Sequence, residues 1–191
     1  NNTENKDEYI QNNQISNESE ENNMYSTGKH HAEIVVKNYG TIALELDADV
    51  APITVENFAN LVNEGFYNGL TFHRIISGFM IQGGDPLGNG TGGSSKTIKG
   101  EFASNGVKNS ISHVRGTISM ARSSMPNSAS SQFFIVHQDS TFLDGKYAAF
   151  GTVTSGMEVV DKICADTAVE DDNGTVAKNN QPVIEKITII D

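Results

Sequence analysis

The sequence contains one cysteine, has fewer basic than acidic residues, and lacks any long apolar run. Its 13 Lys and Arg residues stand against 24 Asp and Glu residues, which gives a formal net charge of -11. A nucleic-acid-binding protein normally presents a basic patch, so this composition disfavours a nucleic-acid partner. No apolar run approaches the roughly 18 residues of a membrane-spanning helix, so none is predicted.

The single cysteine excludes a disulfide scaffold, because Cys164 has no second thiol within the chain with which to pair. Cys164 follows Val160 and Ile163 in an apolar pattern with helical spacing. Free cysteine behaves as a small apolar residue, so a buried structural role is more typical of this position than a catalytic thiol.

Composition divides the chain into a polar tail, residues 1–29, and one folded domain, residues 30–191. The tail contains eight Asn residues and almost no apolar side chains, so it cannot bury enough surface to offset the entropy lost on ordering. We therefore expect residues 1–29 to be a disordered tether. Because the chain begins with Asn rather than Met, we expect an extracytoplasmic protein whose signal was removed, with a membrane-anchored lipoprotein as one form and a cytoplasmic protein as the alternative.

Hydrophobic periodicity predicts a mainly β domain. Alternating apolar residues from Ala32 to Leu46, with turn chemistry at Asn38 to Gly40, predict a hairpin. Apolar residues at helical spacing predict helices over 51–64 and 156–166. The other predicted strands are 70–76, 79–83, 97–99, 116–121, 132–137, 147–153 and 183–190. Many short strands with two helices are typical of a closed or nearly closed antiparallel barrel capped by helices.

The stretch from Phe72 to Asp85 predicts two strands joined near Gly78. If the loop contains three residues, Arg74 lies directly opposite Gln82 and the two side chains share one face of the sheet. A two-residue loop would instead pair Arg74 with Ile81. The pattern alone leaves both registers open, as it leaves open a solvent-facing Arg74.

Several short patterns resemble known sites but lack the required context. Gly88 to Gly93 fits G-x-G-x-x-G, yet Pro86 precedes it and no helical pattern follows, so a dinucleotide site is not predicted. His30, His31 and Glu33 lack the spacing of a zinc-binding helix. No G-x-S-x-G elbow is present. The remaining histidines are dispersed and expected to be structural: His73, His113 and His137.

Six motifs occur in the order and spacing of the cyclophilin family, which the chain resembles from about His30 to Asp191. They are Phe72-His73-Arg74-Ile75-Ile76, Gly78-Phe79-Met80-Ile81-Gln82-Gly83-Gly84-Asp85, Gly90-Thr91-Gly92-Gly93, Ser119-Met120-Ala121, Ser131-Gln132-Phe133-Phe134-Ile135 and Leu143-Asp144-Gly145-Lys146. The resemblance implies a closed eight-stranded antiparallel β-barrel capped by two α-helices. It also implies peptidyl-prolyl cis/trans isomerase activity that assists protein folding, without a cofactor or metal.

The resemblance also implies a role for individual residues. Arg74, Phe79 and Gln82 match the catalytic positions. Substrate-binding positions are matched by Met80, Gly90, Ala121, Arg122, Gln132, Phe134, Phe142, Leu143 and Tyr147. Taken without the family, Phe134, Phe142 and Leu143 are more typical of a core than of a pocket.

Three positions depart from the common eukaryotic pattern, and the loop from Ser123 to Ser130 resembles bacterial members. Phe142 stands where many members carry Trp, Tyr147 where many carry His, and Arg122 where many carry Asn. The first change implies that a cyclosporin-type ligand binds weakly. The expected partners are proline-containing peptides and unfolded or folding proteins, bound by a monomer. The alternative function is a proline-peptide binding or chaperone module with little turnover.

Overall fold

A computed structural model describes residues 24–191 of the protein. Eight strands account for most of its regular structure. They are β1 (Lys29–Val36), β2 (Gly40–Asp47), β3 (Phe72–Ile76), β4 (Met80–Gly83), β5 (Thr117–Met120), β6 (Phe133–Val136), β7 (Ala149–Ser155) and β8 (Ile184–Ile189). The predicted strand at 97–99 is wrong: Ile98 is buried and donates one backbone hydrogen bond to Ala129, but it forms no ladder.

The strands form one antiparallel sheet in the order β3-β4-β6-β5-β7-β2-β1-β8, which curls into a half-barrel. The expected closed barrel is wrong in this respect, because β3 and β8 share no ladder. The segment that precedes β8 occupies the free edge of β3 instead: Ile75 N donates to Gly174 O, and Val176 N donates to His73 O. Directly before β3 and β8, the two chain segments meet in one isolated bridge between Thr71 and Val183.

The helix α1 (Pro52–Asn63) begins with Pro52 in its first turn, where the missing N–H costs no intrahelical bond. Its buried face, which includes Phe58 and Val62, packs on β8 and β2. The helix α2 (Met157–Asp166) begins after Gly156, whose φ is +94°. A Cβ atom at Gly156 would lie 2.3 Å from Thr41 O, so only glycine lets α2 dock against the start of β2.

Buried side chains form two clusters of very different size. The main core fills the half-barrel, and its aromatic centre consists of Phe58, Tyr67, Phe72, Phe133 and Phe150. The small cluster contains Met80, Phe134, Val136 and Leu143, with Ile76, Phe79, Ala121 and Tyr147 packed against it. Because side chains alternate along a strand, the neighbours Phe133 and Phe134 on β6 enter different clusters.

The predicted tail lies outside the described residues over 1–23, so its disorder stays a prediction there. Its last residues are described, and Tyr25 packs its ring against His30 and accepts a hydrogen bond from Asn63. In residues 24–191, no helix is both long and apolar enough to cross a bilayer.

Candidate active site

The hairpin between β3 and β4 fixes the geometry of the site. Its loop contains three residues, so Ile76 pairs with Met80 and Arg74 pairs with Gln82. The three-residue register is therefore confirmed. Arg74 Nη1 donates to Gln82 Oε1 at 3.2 Å, which orients the guanidinium along the sheet face.

A second residue holds the other side of the guanidinium. Arg74 Nε donates to Asn173 O at 2.8 Å, and Nη2 donates to Asn173 Oδ1 at 3.2 Å. Asn173 lies in the segment that covers the edge of β3, close to the bridge between Arg74 and Thr175. Sequence reasoning missed Asn173: the Asn-Gly dipeptide predicts a turn, but nothing in the sequence predicts that this turn folds back onto Arg74.

The guanidinium has donors left over. Arginine carries five N–H donors, and the contacts with Gln82 and Asn173 use three of them. Burial lowers the pKa of Arg74 from its ordinary value, while Tyr147 and Asp171 oppose that shift. Arginine nevertheless keeps its proton in proteins, so Arg74 presents a positive charge with two donors that bind no partner among residues 24–191.

A chain of amides extends from Arg74 across the sheet. Gln82 Nε2 donates to Gln132 Oε1 at 2.9 Å. Gln132 Nε2 in turn donates to Gly92 O at 2.7 Å and to Gly90 O at 3.1 Å. The side-chain oxygen of Gln82 is thereby directed at Arg74, and the glycine-rich loop is tied to Gln132, the residue directly before β6.

The glycine-rich loop is organised around a carboxylate of the protein itself. Asp85 Oδ2 accepts hydrogen bonds from the backbone N–H groups of Gly90, Gly92 and Asn89, and Oδ1 accepts one from Leu87. Although burial opposes the shift, these donors lower the pKa of Asp85. The N–H groups that a phosphate would need already bind Asp85, and no helix follows the loop, which agrees with the sequence-based rejection of a dinucleotide site.

A cavity of about 130 Å³ opens beside the guanidinium. Its walls combine the Arg74–Gln82 pair with apolar side chains of the small cluster. The lining residues are Arg74, Phe79, Met80, Gln82, Ala121, Arg122, Phe134, Leu143 and Tyr147. An apolar cavity near 150 Å³ accepts a benzene molecule, so this one has room for a five-membered ring. Nine of the twelve predicted site residues thus meet at one cavity.

The other three predicted residues lie beside this cavity. Gly90 and Gln132 line an adjoining groove together with Gln82, Ala121 and Arg122. Phe142 is 64% exposed and stands at the rim, where its ring lies 5.5 Å from that of Phe79.

Phe134, at the back of the cavity, rests on a polar network centred on the buried His113. Its ring stacks on His113 with centroids 6.0 Å apart, and Tyr147 meets it edge-on at 5.8 Å. His113 Nδ1 lies 2.8 Å from Asp144 Oδ1, and His113 Nε2 lies 2.8 Å from Ser119 Oγ. Because a carboxylate only accepts, the neutral ring donates from Nδ1 to Asp144 and accepts the hydroxyl of Ser119.

The guanidinium of Arg122 contacts aromatic rings and backbone oxygens of the protein itself. Its guanidinium lies between the rings of Phe102 and Tyr147, 4.8 Å and 4.7 Å from their centroids. Nε and Nη2 donate to Lys146 O at 3.0 Å and 2.6 Å. Arg122 therefore holds Tyr147 against the cavity, a contact that Asn at this position could not make.

Among residues 24–191, no group of three or more His, Cys, Asp or Glu side chains is placed to hold a metal ion.

Comparison with known proteins identifies the chain. The family model "Cyclophilin type peptidyl-prolyl cis-trans isomerase/CLD" matches residues 31–190. A peptidyl-prolyl cis-trans isomerase of Helicobacter pylori is 51% identical over 128 residues, which cover 66% of this chain and 76% of the relative. A probable isomerase of Brucella suis is 46% identical over 158 residues, which cover 76% of each chain.

A solved structure supports the same assignment. The cyclophilin type peptidyl-prolyl cis-trans isomerase of Cryptosporidium parvum matches with a TM-score of 0.74 at 32% identity, over 84% of this chain and 99% of that chain. The resemblance inferred from the sequence motifs is thus confirmed. The chain belongs to the cyclophilin-type peptidyl-prolyl cis-trans isomerases.

Proposed function

We propose that Arg74 is the catalytic residue of this isomerase and that the adjoining cavity binds the proline ring of its substrate. The observation that carries the proposal is the position of the guanidinium: it lines an apolar cavity, is oriented by Gln82 and Asn173, and keeps two N–H donors unused.

The barrier that such an enzyme lowers comes from amide resonance. Rotation about a peptide bond costs about 18–20 kcal/mol, and X-Pro isomers exchange in roughly 10–100 s at 25 °C. In the twisted transition state the proline nitrogen regains a lone pair that the planar states lack. A donor from Arg74 to that lone pair stabilises the twisted state more than either isomer, which is the condition for catalysis. No bond breaks and no proton is transferred.

The apolar walls are proposed to hold the ring while the rest of the peptide turns. Phe79, Met80, Phe134 and Leu143 exclude water from the cavity, which strengthens the electrostatic contact made by Arg74. The groove lined by Gly90, Ala121, Arg122 and Gln132 would hold the substrate backbone next to the proline. The Cryptosporidium structure was solved in the presence of the dipeptide Ala-Pro, a molecule of the chemistry that this cavity fits.

Replacing Arg74 tests the proposal directly. A hydrogen bond to a charged group is worth roughly 1.5–3 kcal/mol, so Arg74→Ala should lower kcat/KM by about 10- to 150-fold. Arg74→Lys keeps the charge but loses the planar fork that binds Gln82 and Asn173. Its kcat/KM should therefore lie between that of wild type and that of Arg74→Ala. A protease-coupled assay on an X-Pro peptide measures both variants, with the exposed Lys186→Ala as a control.

The same assay separates catalysis from binding. Wild-type protein that binds an X-Pro peptide without accelerating its isomerisation would support the alternative of a proline-peptide binding or chaperone module. If Arg74→Ala kept kcat/KM within about twofold of wild type, Arg74 would not have the role proposed here.

Other properties expected from the sequence stay proposals. The acidic net charge supports the absence of a nucleic-acid partner, and Phe142 at the rim supports weak binding of a cyclosporin-type ligand, which calorimetric titration would measure.

Refolding assays would test whether folding proteins are clients of the isomerase. Light scattering would test whether the protein is a monomer. The extracytoplasmic location is supported only by the polar composition of residues 1–29, and immunodetection in cell fractions would test it.

A further inference from the structure

One residue outside the cavity clamps the turn that carries Phe79. In the β3–β4 loop, Gly78 N donates to His137 Nδ1 at 2.8 Å. His137 N donates in return to Phe79 O, also at 2.8 Å. Gly78 adopts a φ of +84°, so the direction in which the chain enters Phe79 depends on a single tight turn. His137 therefore fixes that turn from two sides.

The second ring nitrogen of His137 is bound to the helix α2. His137 Nε2 lies 3.0 Å from Asp161 Oδ1. Asp161 also forms a two-point ion pair with Arg115, with both N–O distances at 2.7 Å, and Arg115 Nη1 donates to His137 O at 3.1 Å. The carboxylate of Asp161 can only accept a hydrogen bond, and the backbone N–H of Gly78 can only donate one. The ring must therefore carry its proton on Nε2 and a lone pair on Nδ1.

We infer that His137 is a positioning residue for the proline cavity: its neutral Nε2–H form, selected by Asp161, holds the Gly78–Phe79 turn. This inference rests on the proposed role of the cavity wall that includes Phe79. A second proton can bind only at Nδ1, where it removes the lone pair that accepts the Gly78 N–H. The turn is then released at that point while the contact with Asp161 remains.

The charged and titratable surroundings of His137 come from three elements. The helix α2 contributes Asp161 and, one turn later, Cys164, whose thiol interacts with Asp161. The segment before β5 contributes Arg115, and the loop after β6 contributes Asp139, which accepts from the backbone N–H of Arg115. The turn from Ser77 to Phe79 contributes no titratable side chain. His137 is the member of this group whose side chain bonds directly to the turn.

Two variants separate the acceptor from the titration. In His137→Asn, the side-chain oxygen replaces Nδ1 as the acceptor for Gly78 but does not titrate. In His137→Ala, the acceptor is lost. Because one neutral hydrogen bond is removed, His137→Ala should lower kcat/KM about two- to tenfold at pH 8, whereas His137→Asn should stay within about twofold of wild type.

The pH profile is the readout that a purely structural role would not move. As the pH falls, protonation of Nδ1 should lower wild-type kcat/KM, and the profile of His137→Asn should stay flatter. His31→Asn is the matched control, because His31 also pairs with a carboxylate, Glu45, but lies on β1 away from the cavity. It should keep the wild-type profile. The amide signal of Gly78 should shift with pH in wild type but not in His137→Asn.

Either of two results would overturn the inference: a His137→Ala variant that is folded and fully active, or a His137→Asn variant with the wild-type pH profile. Circular dichroism shows whether each variant is folded, and if His137→Ala unfolds, the profile of His137→Asn still decides. Arg74→Ala distinguishes the two proposals. If Arg74→Ala loses activity while both His137 variants behave like wild type, only the inference about His137 is rejected. If Arg74→Ala keeps full activity, the proposed function is rejected.

Discussion

Two adjacent phenylalanines on β6 enter different parts of the molecule, the main core and the cavity beside Arg74. Phe133 is fully buried in the main core, where it meets Phe58, Tyr67 and Phe72 edge-on at centroid distances of 5.5–6.0 Å. Phe134 is also buried, but one face of its ring borders the cavity beside Arg74. The same residue type on the same strand thus packs a core on one face of the sheet and lines the proposed proline cavity on the other.

The two clusters are also held together by different interactions. The main core depends on apolar packing, and burial there raises the pKa of Tyr67 and raises that of Cys164 to about 12. The small cluster instead rests on the hydrogen-bonded pair of His113 and Asp144. A cavity that must stay open cannot fill itself with side chains, so polar contacts from behind replace the missing packing.

The largest expected effect comes from truncating the core member of the pair. Phe133→Ala leaves a sealed cavity in the main core and should lower the free energy of unfolding by about 3–5 kcal/mol. Urea denaturation followed by circular dichroism measures this loss. Phe133→Leu should cost less and remain folded, with kcat/KM per folded molecule close to wild type. A strong loss of catalysis in folded Phe133→Leu would contradict the separation between the two clusters.

Truncating Phe134, which borders the cavity, should reduce catalysis more than stability. Phe134→Ala enlarges a cavity that is already open, so its unfolding free energy should fall less than that of Phe133→Ala. The proline ring loses its back wall, and kcat/KM should drop about tenfold, equivalent to roughly 1.4 kcal/mol. Calorimetry measures the affinity for an X-Pro peptide, and the protease-coupled assay measures kcat/KM. Unchanged affinity for an X-Pro peptide would show that Phe134 does not contact proline.

The sequence predicts well those features that depend on local pattern. Both helices and all eight strands appear within a few residues of predicted bounds, because amphipathic spacing and turn residues determine them locally. The pairing of Arg74 with Gln82 followed from loop length once three residues were assumed. The predicted strand at 97–99 failed because Ile98 is buried by a loop contact, which single-sequence patterns do not distinguish from strand burial.

What the sequence could not predict depends on contacts between distant segments. Asn173 reaches Arg74 across 99 positions, and the same segment leaves the barrel open by covering β3. The expectation that His113 and His137 are structural named no partners for them, because those partners follow from the tertiary fold. Such long-range pairs carry no periodic signal, and they supply most of the polar support behind the cavity.

The smallest expected effect is a selective weakening of the small cluster in acid. Burial lowers the pKa of His113, although its bond to Asp144 opposes the shift. The unfolded chain therefore binds a proton more readily than the folded one, and stability falls as the pH drops below the ordinary imidazole pKa of about 6.5. The pKa of Asp144 is also lowered: burial opposes this shift, and bonds from Ser112 and His113 outweigh it. Its contribution is lost only at lower pH, as Asp144 protonates.

Comparing wild type with His113→Gln isolates this contribution, because His73, a second buried histidine whose pKa burial lowers, is present in both proteins. Between pH 7.5 and 5, the melting temperature of wild type should fall more steeply than that of the variant. The change should be smaller than for either phenylalanine truncation. Hydrogen exchange should locate it at β6 and Tyr147, next to the stacked ring of Phe134, and leave α1 unaffected. Equal slopes in the two proteins would mean that the small cluster does not depend on the charge state of His113, and the difference between the two clusters would then be one of packing alone.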